Sequence, residues 1–291
     1  MKPTLKPPFN PTAKTPVALE RPSFPVRLKA PAGVLSAPKS VAAPARNARA
    51  NGPNDLKKLP PAALPGGVGL DSQAVRARML HKLAAQGVQD PQVLAAMGRV
   101  ERHRFVDTAL ANQAYEDTSL PIGLGQTISK PNVVARMLEL LRQRLGGVAA
   151  APGASEKLGR VLEIGTGCGY QAAVLSYLAT EVFSIERLRG LHDKARENLR
   201  TLRLPNVHLL FGDGMLGYAK GAPYAAIIAA AGGESIPLAW TDQLAVGGRL
   251  VAPMHTATGA QALVVVDKTP QGLRQTVLEA VHFVPLKSGT S

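Results

Sequence analysis

The sequence has 291 residues, of which 45% are hydrophobic, 19% charged and 4% aromatic. This balance suits a globular core and excludes a wholly disordered chain. No apolar run approaches the roughly 18 residues that a membrane-spanning helix needs. The single cysteine, Cys168, excludes a disulfide framework and a cysteine-cluster metal site.

The positive charge is concentrated near the N-terminus. The formal net charge is +14, and residues 1–70 hold eleven basic and two acidic side chains together with 14 of the 24 prolines. Residues 1–70 therefore carry +9 and the rest of the chain +5. Proline-rich sequence with few large apolar side chains cannot offset the entropy of ordering. We predict a disordered, basic Pro/Ala/Lys-rich tail over residues 1–70, with a loose polyanion-binding arm as the alternative.

Residues 71–158 are predicted to form an N-terminal helical and acceptor-site segment. Asp71 caps a first amphipathic helix that ends at Gly87. Asp90 and Pro91 begin a second helix, and a third runs from near Lys130 toward Leu145. A turn-rich run precedes the third helix, and a small-residue linker follows it.

Residues 159–291 are predicted to form a cofactor-binding sheet, because short apolar strands alternate with helices. We expect strands over Arg160–Ile164, Glu181–Ile185, Val207–Leu210 and Tyr224–Ala229, and helices over Gln171–Ala179 and about Leu188–Leu202. Three further strands follow Gly247-Gly248 with little helical pattern between them. Such alternation gives a doubly wound, mostly parallel α/β sheet, here with antiparallel strands at one side.

A glycine-rich turn follows the first strand of this sheet and opens a helix, which is where open α/β sheets bind ligands. Gly165, Gly167 and Gly169 allow a ligand to approach the backbone closely. Tyr170 occupies the position where a dinucleotide fingerprint needs its third glycine, and the Gly-Lys-Ser/Thr ending of a phosphate loop is absent.

Two acidic residues follow the next two strands. Glu186 lies 21 residues after Gly165, where a carboxylate can accept hydrogen bonds from ribose hydroxyls, and Asp213 is placed to accept from an adenine amino group. A nucleoside without pyrophosphate fits this pattern, and its chemical match is S-adenosylmethionine. Each residue also has a simpler interpretation: Glu186 as a solvated strand-end acid, Asp213 as a turn cap, Glu163 as a partner for loop amides, and Cys168 as a small loop filler.

The residues after the fourth strand lack the side chains expected for methylation of an amine, which favours a carboxylate as the methyl acceptor. Amine methylation of bases usually places an Asn/Asp-Pro-Pro-aromatic turn after the fourth strand, but Ile227–Gly233 offers no such side chain. The six histidines show no metal-ligand spacing. A carboxylate acceptor is ionised at neutral pH and needs positioning rather than a general base.

Several runs resemble the protein-L-isoaspartate O-methyltransferase family. They are Leu120–Pro131, which contains Gln-Thr-Ile-Ser, the glycine loop Leu162–Gln171, Phe211–Gly214, Ala222–Ile228 and Val281–Leu286. The resemblance covers about residues 71–287 in collinear order. Cys168 stands where a serine is common, while Ala230–Glu234 and Met254-His255 also depart from the family pattern.

The resemblance implies a class I (Rossmann-like) methyltransferase fold and transfer of a methyl group from S-adenosylmethionine to the α-carboxylate of L-isoaspartyl residues in damaged proteins. It implies that Ser129 is the catalytic serine and that Thr127 also contacts the substrate. The spacing leaves a second interpretation for Ser129, as the cap of the third helix. The expected cofactor-binding residues are Gln126, Thr127, Ile128, Glu163, Gly165, Thr166, Gly167, Cys168, Gly169, Glu186, Arg187, Asp213 and Gly214.

Two other function classes stay open at this stage. One is a nucleic-acid methyltransferase that grips phosphates with the basic tail. The other is a non-catalytic protein that binds the nucleoside and a partner. We expect isoaspartyl proteins and peptides as partners, with no metal, membrane or nucleic acid, and a cytoplasmic location.

Overall fold

The computed structural model describes residues 73–143, 157–256 and 259–291. Four predicted features lie outside these residues. They are the tail, the cap at Asp71, the extension of the third helix toward Leu145, and most of the small-residue linker. The α-helices are α1 (Gln73–Ala85), α2 (Pro91–Arg99), α3 (Pro131–Arg142), α4 (Tyr170–Leu178), α5 (Arg189–Arg200) and α6 (Leu238–Gln243). The strands are β1 (Leu120–Gly123), β2 (Gln126–Ile128), β3 (Leu158–Ile164), β4 (Ala179–Glu186), β5 (Val207–Phe211), β6 (Tyr224–Ala229), β7 (Leu244–His255), β8 (Gln261–Thr269) and β9 (Gly272–Val281).

Seven of the strands form one sheet in the order β5-β4-β3-β6-β7-β8-β9. The pairs from β5 to β7 are parallel, and β7-β8 and β8-β9 are antiparallel. The mostly parallel sheet with antiparallel strands at one side is confirmed. The chain leaves β3 for β4 on one side and later returns to β6 on the other, so the carboxyl end of β3 is the switch point at which such sheets bind ligands.

Alternating side chains of β3 divide the core into two layers. Val161 packs into the larger cluster with α1 to α4, whereas Leu162 and Ile164 face the opposite cluster around Trp240 of α6. Helices therefore cover both faces of the sheet, as its apolar strands require.

The helix starts follow the predicted capping chemistry at α2. One carboxylate oxygen of Asp90 accepts hydrogen bonds from Gln92 N–H at 2.8 Å and Val93 N–H at 3.2 Å, and Pro91 occupies the first turn. At α3 the cap is Lys130, without a side-chain hydrogen bond. The interpretation of Ser129 as a side-chain cap is therefore wrong.

Two elements differ from the sequence prediction. The turn-rich run contains an antiparallel hairpin, β1-β2, with Leu120 opposite Ile128. The pair Gly247-Gly248 lies inside β7 rather than before it, where the register against β6 shifts between Tyr224 and Ala226. Glycine absorbs the irregular backbone that such a bulge requires.

Candidate active site

A cavity of about 270 Å³ lies at the carboxyl ends of β3 and β4. Most of the predicted site residues line it: Gln126, Thr127, Ile128, Ser129, Gly165, Thr166, Gly167, Cys168, Glu186, Arg187 and Gly214. Glu163, Gly169 and Asp213 are not among its lining residues. A larger, more open groove of about 920 Å³ runs along α5 and β5 and contains none of the predicted residues.

The glycine loop forms one wall of the cavity, which we call the cofactor wall (residues 165–169 and Glu186). Gly165, Gly167 and Gly169 have φ values of +88°, +56° and +89°, a region that residues with a Cβ rarely adopt. The N–H groups of Gly165 and Thr166 both donate to the carbonyl of Ile185, at 2.9 and 3.1 Å. The loop is thereby fixed to the end of β4.

Glu186 joins the glycine loop to the start of α5. One of its carboxylate oxygens accepts from Gly167 N–H at 2.9 Å, and the other accepts from Leu188 N–H at 2.9 Å. A carboxylate offers about four acceptor positions. Glu186 therefore keeps acceptor capacity toward the cavity that it lines, as a ribose diol requires.

Glu163 supports the loop from behind. Its buried carboxyl group hydrogen bonds with Ser184, whose hydroxyl oxygen lies 2.6 Å from that of Thr166. Burial, the largest cause, raises the pKa of Glu163 to about 8. Within the described residues the hydrogen-bond partner of Glu163 is the Ser184 hydroxyl and not a loop N–H, so its interpretation as a partner for loop amides is not observed. Its role as a cofactor contact stays a prediction.

Cys168 is buried in the same loop. Burial raises the pKa of its thiol to about 11, so the thiol stays protonated at neutral pH. Its carbonyl accepts from the Asn198 side-chain amide at 2.9 Å. These features support its interpretation as a loop filler rather than a nucleophile.

The opposite side, which we call the acceptor wall, consists of residues 122–129 and 284–286. The hairpin tip carries Leu124, an exposed leucine at φ +52° that lies against Gly190 of α5. Lys194 of α5 donates to the carbonyl of Ile122 at 2.9 Å. The hairpin therefore reaches from α3 to α5 along one side of the cavity.

Ser129 lies between the hairpin and α3. Its carbonyl accepts from the Arg102 guanidinium at 2.8 Å, while its hydroxyl makes no hydrogen bond within the described residues. Ser129 also lines a second, adjoining cavity of about 280 Å³ with Ser119 and His282. A free hydroxyl at the junction of two cavities is suited to bind a second ligand next to the cofactor wall.

Asp213 caps the turn that follows β5. One carboxylate oxygen accepts from Met215 N–H at 2.8 Å and the other from Gly289 N–H at 2.7 Å. The predicted turn cap is thus observed, and the adenine contact stays a prediction. The backbone partner at Gly289 comes from the C-terminal segment, which no local pattern connects to β5.

Several residues of the cavity lining have no predicted site role. Val284, Pro285 and Leu286 belong to a run whose sequence signal is its resemblance to the family. Tyr170 carries a local signal, because it follows the glycine loop directly.

No cluster of metal-ligating side chains occurs in the described part of the chain. Likewise, no helix within residues 73–143, 157–256 and 259–291 is long and apolar enough to cross a membrane.

Comparisons with known proteins agree with this geometry. Residues 74–291 match the model of the family described as protein-L-isoaspartate(D-aspartate) O-methyltransferase. A protein-L-isoaspartate O-methyltransferase of Leptothrix cholodnii is 64% identical over 79% of this chain and 79% of its own length. One of Methylibium petroleiphilum is 63% identical over 78% of this chain and 82% of its own.

Two solved structures are similar in fold. A protein-L-isoaspartate O-methyltransferase aligns with a TM-score of 0.64 and 27% identity over 73% of this chain and 66% of its own. A Plasmodium falciparum protein titled a putative member of the same family, solved with S-adenosyl-L-homocysteine, aligns with a TM-score of 0.60 and 22% identity over 73% of this chain and 98% of its own. The predicted class I methyltransferase fold is confirmed.

Proposed function

Because the chain belongs to the protein-L-isoaspartate(D-aspartate) O-methyltransferase family, we propose that it repairs damaged proteins by methylating the free α-carboxylate of L-isoaspartyl residues. The chain is a methyltransferase, and its cofactor is S-adenosylmethionine. The observation that carries the proposal is that Ser129, whose hydroxyl makes no hydrogen bond within the described residues, lines the same cavity as the glycine loop. The comparisons give no support to the nucleic-acid alternative.

The cofactor wall fits S-adenosylmethionine in its donor set. The cofactor supplies an electrophilic methyl group on a positively charged sulfur. In our proposal the glycine loop approaches the cofactor through its backbone, Glu186 accepts from the ribose hydroxyls, and Asp213 accepts from the adenine. The other proposed contacts are Gln126, Thr127, Ile128, Glu163, Thr166, Cys168, Arg187 and Gly214.

The acceptor wall orients the carboxylate. The Ser129 hydroxyl donates a hydrogen bond to one carboxylate oxygen, while Thr127 contacts the neighbouring peptide. With one oxygen held in this way, the other would be directed at the methyl group that the bound cofactor would supply. Since the carboxylate is already ionised at neutral pH, no general base is needed.

In the ester that forms, the methoxy group leaves more readily than an oxygen of the carboxylate would. The adjacent backbone nitrogen displaces methanol and closes a succinimide, and hydrolysis of that ring returns a fraction of normal aspartyl linkages. Repeated cycles restore the chain. We also propose a cytoplasmic location, which is supported by the lone thiol and by the intracellular supply of the cofactor.

Methyl-labelled S-adenosylmethionine tests the proposal with two peptides that differ only in one normal or isoaspartyl linkage. We expect base-labile label on the isoaspartyl peptide alone, because a methyl ester hydrolyses in base. A parallel incubation with RNA and DNA tests the alternative substrate. Label on neither peptide, in a protein that still binds the cofactor, would overturn the proposed function.

A further inference from the structure

Arg102 lies directly beneath the Ser129 loop. It begins a short 3-10 turn, Arg102–Phe105, and its side chain is completely buried. Its Nε donates to the carbonyl of Ala114 at 2.7 Å, and its Nη2 donates to the carbonyl of Ser129 at 2.8 Å. One guanidinium group therefore joins the turn before the hairpin to the residue after it.

This guanidinium has no carboxylate partner among the described residues. Its Nη1 is buried without a hydrogen bond, and so is the hydroxyl of Tyr170. The Cζ of Arg102 lies 4.8 Å from the centre of the Tyr170 ring. Burial lowers the pKa of Arg102 from its usual value, yet a guanidinium stays protonated in proteins. The guanidinium thus stacks on the ring of Tyr170, which lines the cavity, and Asp117 acts on it only from beyond ion-pair distance.

Arg249 shows how the same chain supports a largely buried arginine for structure alone. Its Nε and Nη2 bind both carboxylate oxygens of Asp267, at 2.6 and 3.0 Å, and its Nη1 donates to the carbonyl of Leu140 at 3.0 Å. Its charge is neutralised within the fold. A buried charge without a partner is costly, so the difference at Arg102 points to an anion that arrives with a ligand.

We propose that Arg102 is a positioning residue for the methyl acceptor, holding Ser129 by its carbonyl and supplying the positive charge that draws the acceptor carboxylate to the Ser129 hydroxyl. This inference rests on the proposed function. It goes further in assigning the attraction of the carboxylate to a residue that lies outside the cavity lining. Because the guanidinium is itself buried, its charge is screened less by water and salt than a charge on the surface.

The test compares Arg102→Met and Arg102→Lys with Arg249→Lys as the matched control. Each variant is assayed for thermal unfolding, binding of S-adenosylhomocysteine, and kcat and KM on the isoaspartyl peptide. We expect Arg102→Met to lower kcat/KM for the peptide about 100-fold and Arg102→Lys, which keeps the charge, about 10-fold. Cofactor-product binding stays within about threefold in both. Arg249→Lys lowers the unfolding temperature and changes the peptide KM by less than about threefold.

A measurement on the unaltered protein covers the case in which the variants do not fold. The isoaspartyl peptide is compared with its α-carboxamide analogue as a competing ligand. We expect the analogue to bind at least about 10-fold more weakly, because it leaves the guanidinium unpaired. Equal binding of the two peptides would overturn the inference.

The outcomes separate the two proposals. Unaltered protein that labels neither peptide contradicts the proposed function. Unaltered protein that labels the isoaspartyl peptide, together with folded Arg102→Met of unchanged kcat/KM, contradicts only the role of Arg102.

Discussion

The two walls of the cavity are held in different ways. The cofactor wall is short in sequence and is fixed by backbone hydrogen bonds to the end of a central strand, such as those from Gly165 and Thr166 to Ile185. The acceptor wall combines segments that are far apart in the chain, joined by side chains such as Arg102 and Lys194. Substitutions of Ser129 and of Glu186 should therefore affect catalysis and cofactor binding separately.

The largest expected effect is on the acceptor wall. Ser129→Ala should lower turnover of the isoaspartyl peptide about 100-fold, because the carboxylate loses the donor that aligns it. Cofactor binding and unfolding temperature should stay near those of the unaltered protein. Steady-state kinetics with calorimetric binding of S-adenosylhomocysteine measures both.

Ser119→Ala is the matched control for Ser129→Ala, since both serines line the second, adjoining cavity. It should leave turnover within about threefold of the unaltered protein. Full turnover by Ser129→Ala would refute its role and leave the acceptor wall without an assigned donor.

The second largest effect is expected on the affinity of the cofactor wall for S-adenosylmethionine. Glu186→Gln replaces one acceptor oxygen by an NH₂ group, which would point its hydrogens at the N–H of either Gly167 or Leu188. The substitution therefore disrupts the loop and the proposed ribose contact together. We expect S-adenosylmethionine to bind about 10- to 100-fold more weakly, as for hydrogen bonds to a charged group. The control is Glu181→Gln on the same strand, where the exposed carboxylate pairs with Arg160. Equal affinity of the two variants would contradict the assignment.

The cofactor wall is held by local contacts and the acceptor wall by contacts between distant segments, so the sequence predicts the first wall better than the second. The glycine loop and Glu186 follow from local rules about strand ends and positive φ, and the structure brings them together. The β1-β2 hairpin was not predicted, because its strands have four and three residues and its turn places Leu124 at a φ that leucine rarely adopts. Arg102 lies in a run of charged residues that is typical of a solvated surface, and only contacts distant in sequence bury it.

The third prediction concerns stability behind the cofactor wall. The pKa of Glu163 is about 8 in the folded protein, above its ordinary value, so the folded state binds this proton more tightly than the unfolded state. Its contribution to stability is therefore present at low pH and is lost as pH rises toward the folded pKa. Relative to the unaltered protein, Glu163→Gln should gain roughly 3 kcal/mol in free energy of unfolding between about pH 5 and pH 8.

Denaturant titrations of both proteins across this pH range measure that gain. Groups other than Glu163 titrate alike in the two proteins, so the difference between the curves isolates its carboxyl group. A constant difference across the range would show that Glu163 is ionised in the folded protein.

The smallest effect is expected from the C-terminal segment, which fastens the outer edge of the cofactor wall. Arg187 donates from Nε to the carbonyl of Gly289 at 2.9 Å, and Gly289 N–H donates to Asp213 at 2.7 Å. Deleting residues 288–291 removes these two bonds and two backbone bonds of Ser291, one to Arg187 and one to Arg189, but removes no residue of the cavity lining. We expect about fivefold weaker S-adenosylmethionine binding, equivalent to about 1 kcal/mol, because the Arg187 and Asp213 side chains stay in place. Thr290→Ala keeps the backbone bonds and should bind as the unaltered protein does; tighter binding by the deleted protein would mean that Gly289 competes with the cofactor for Asp213.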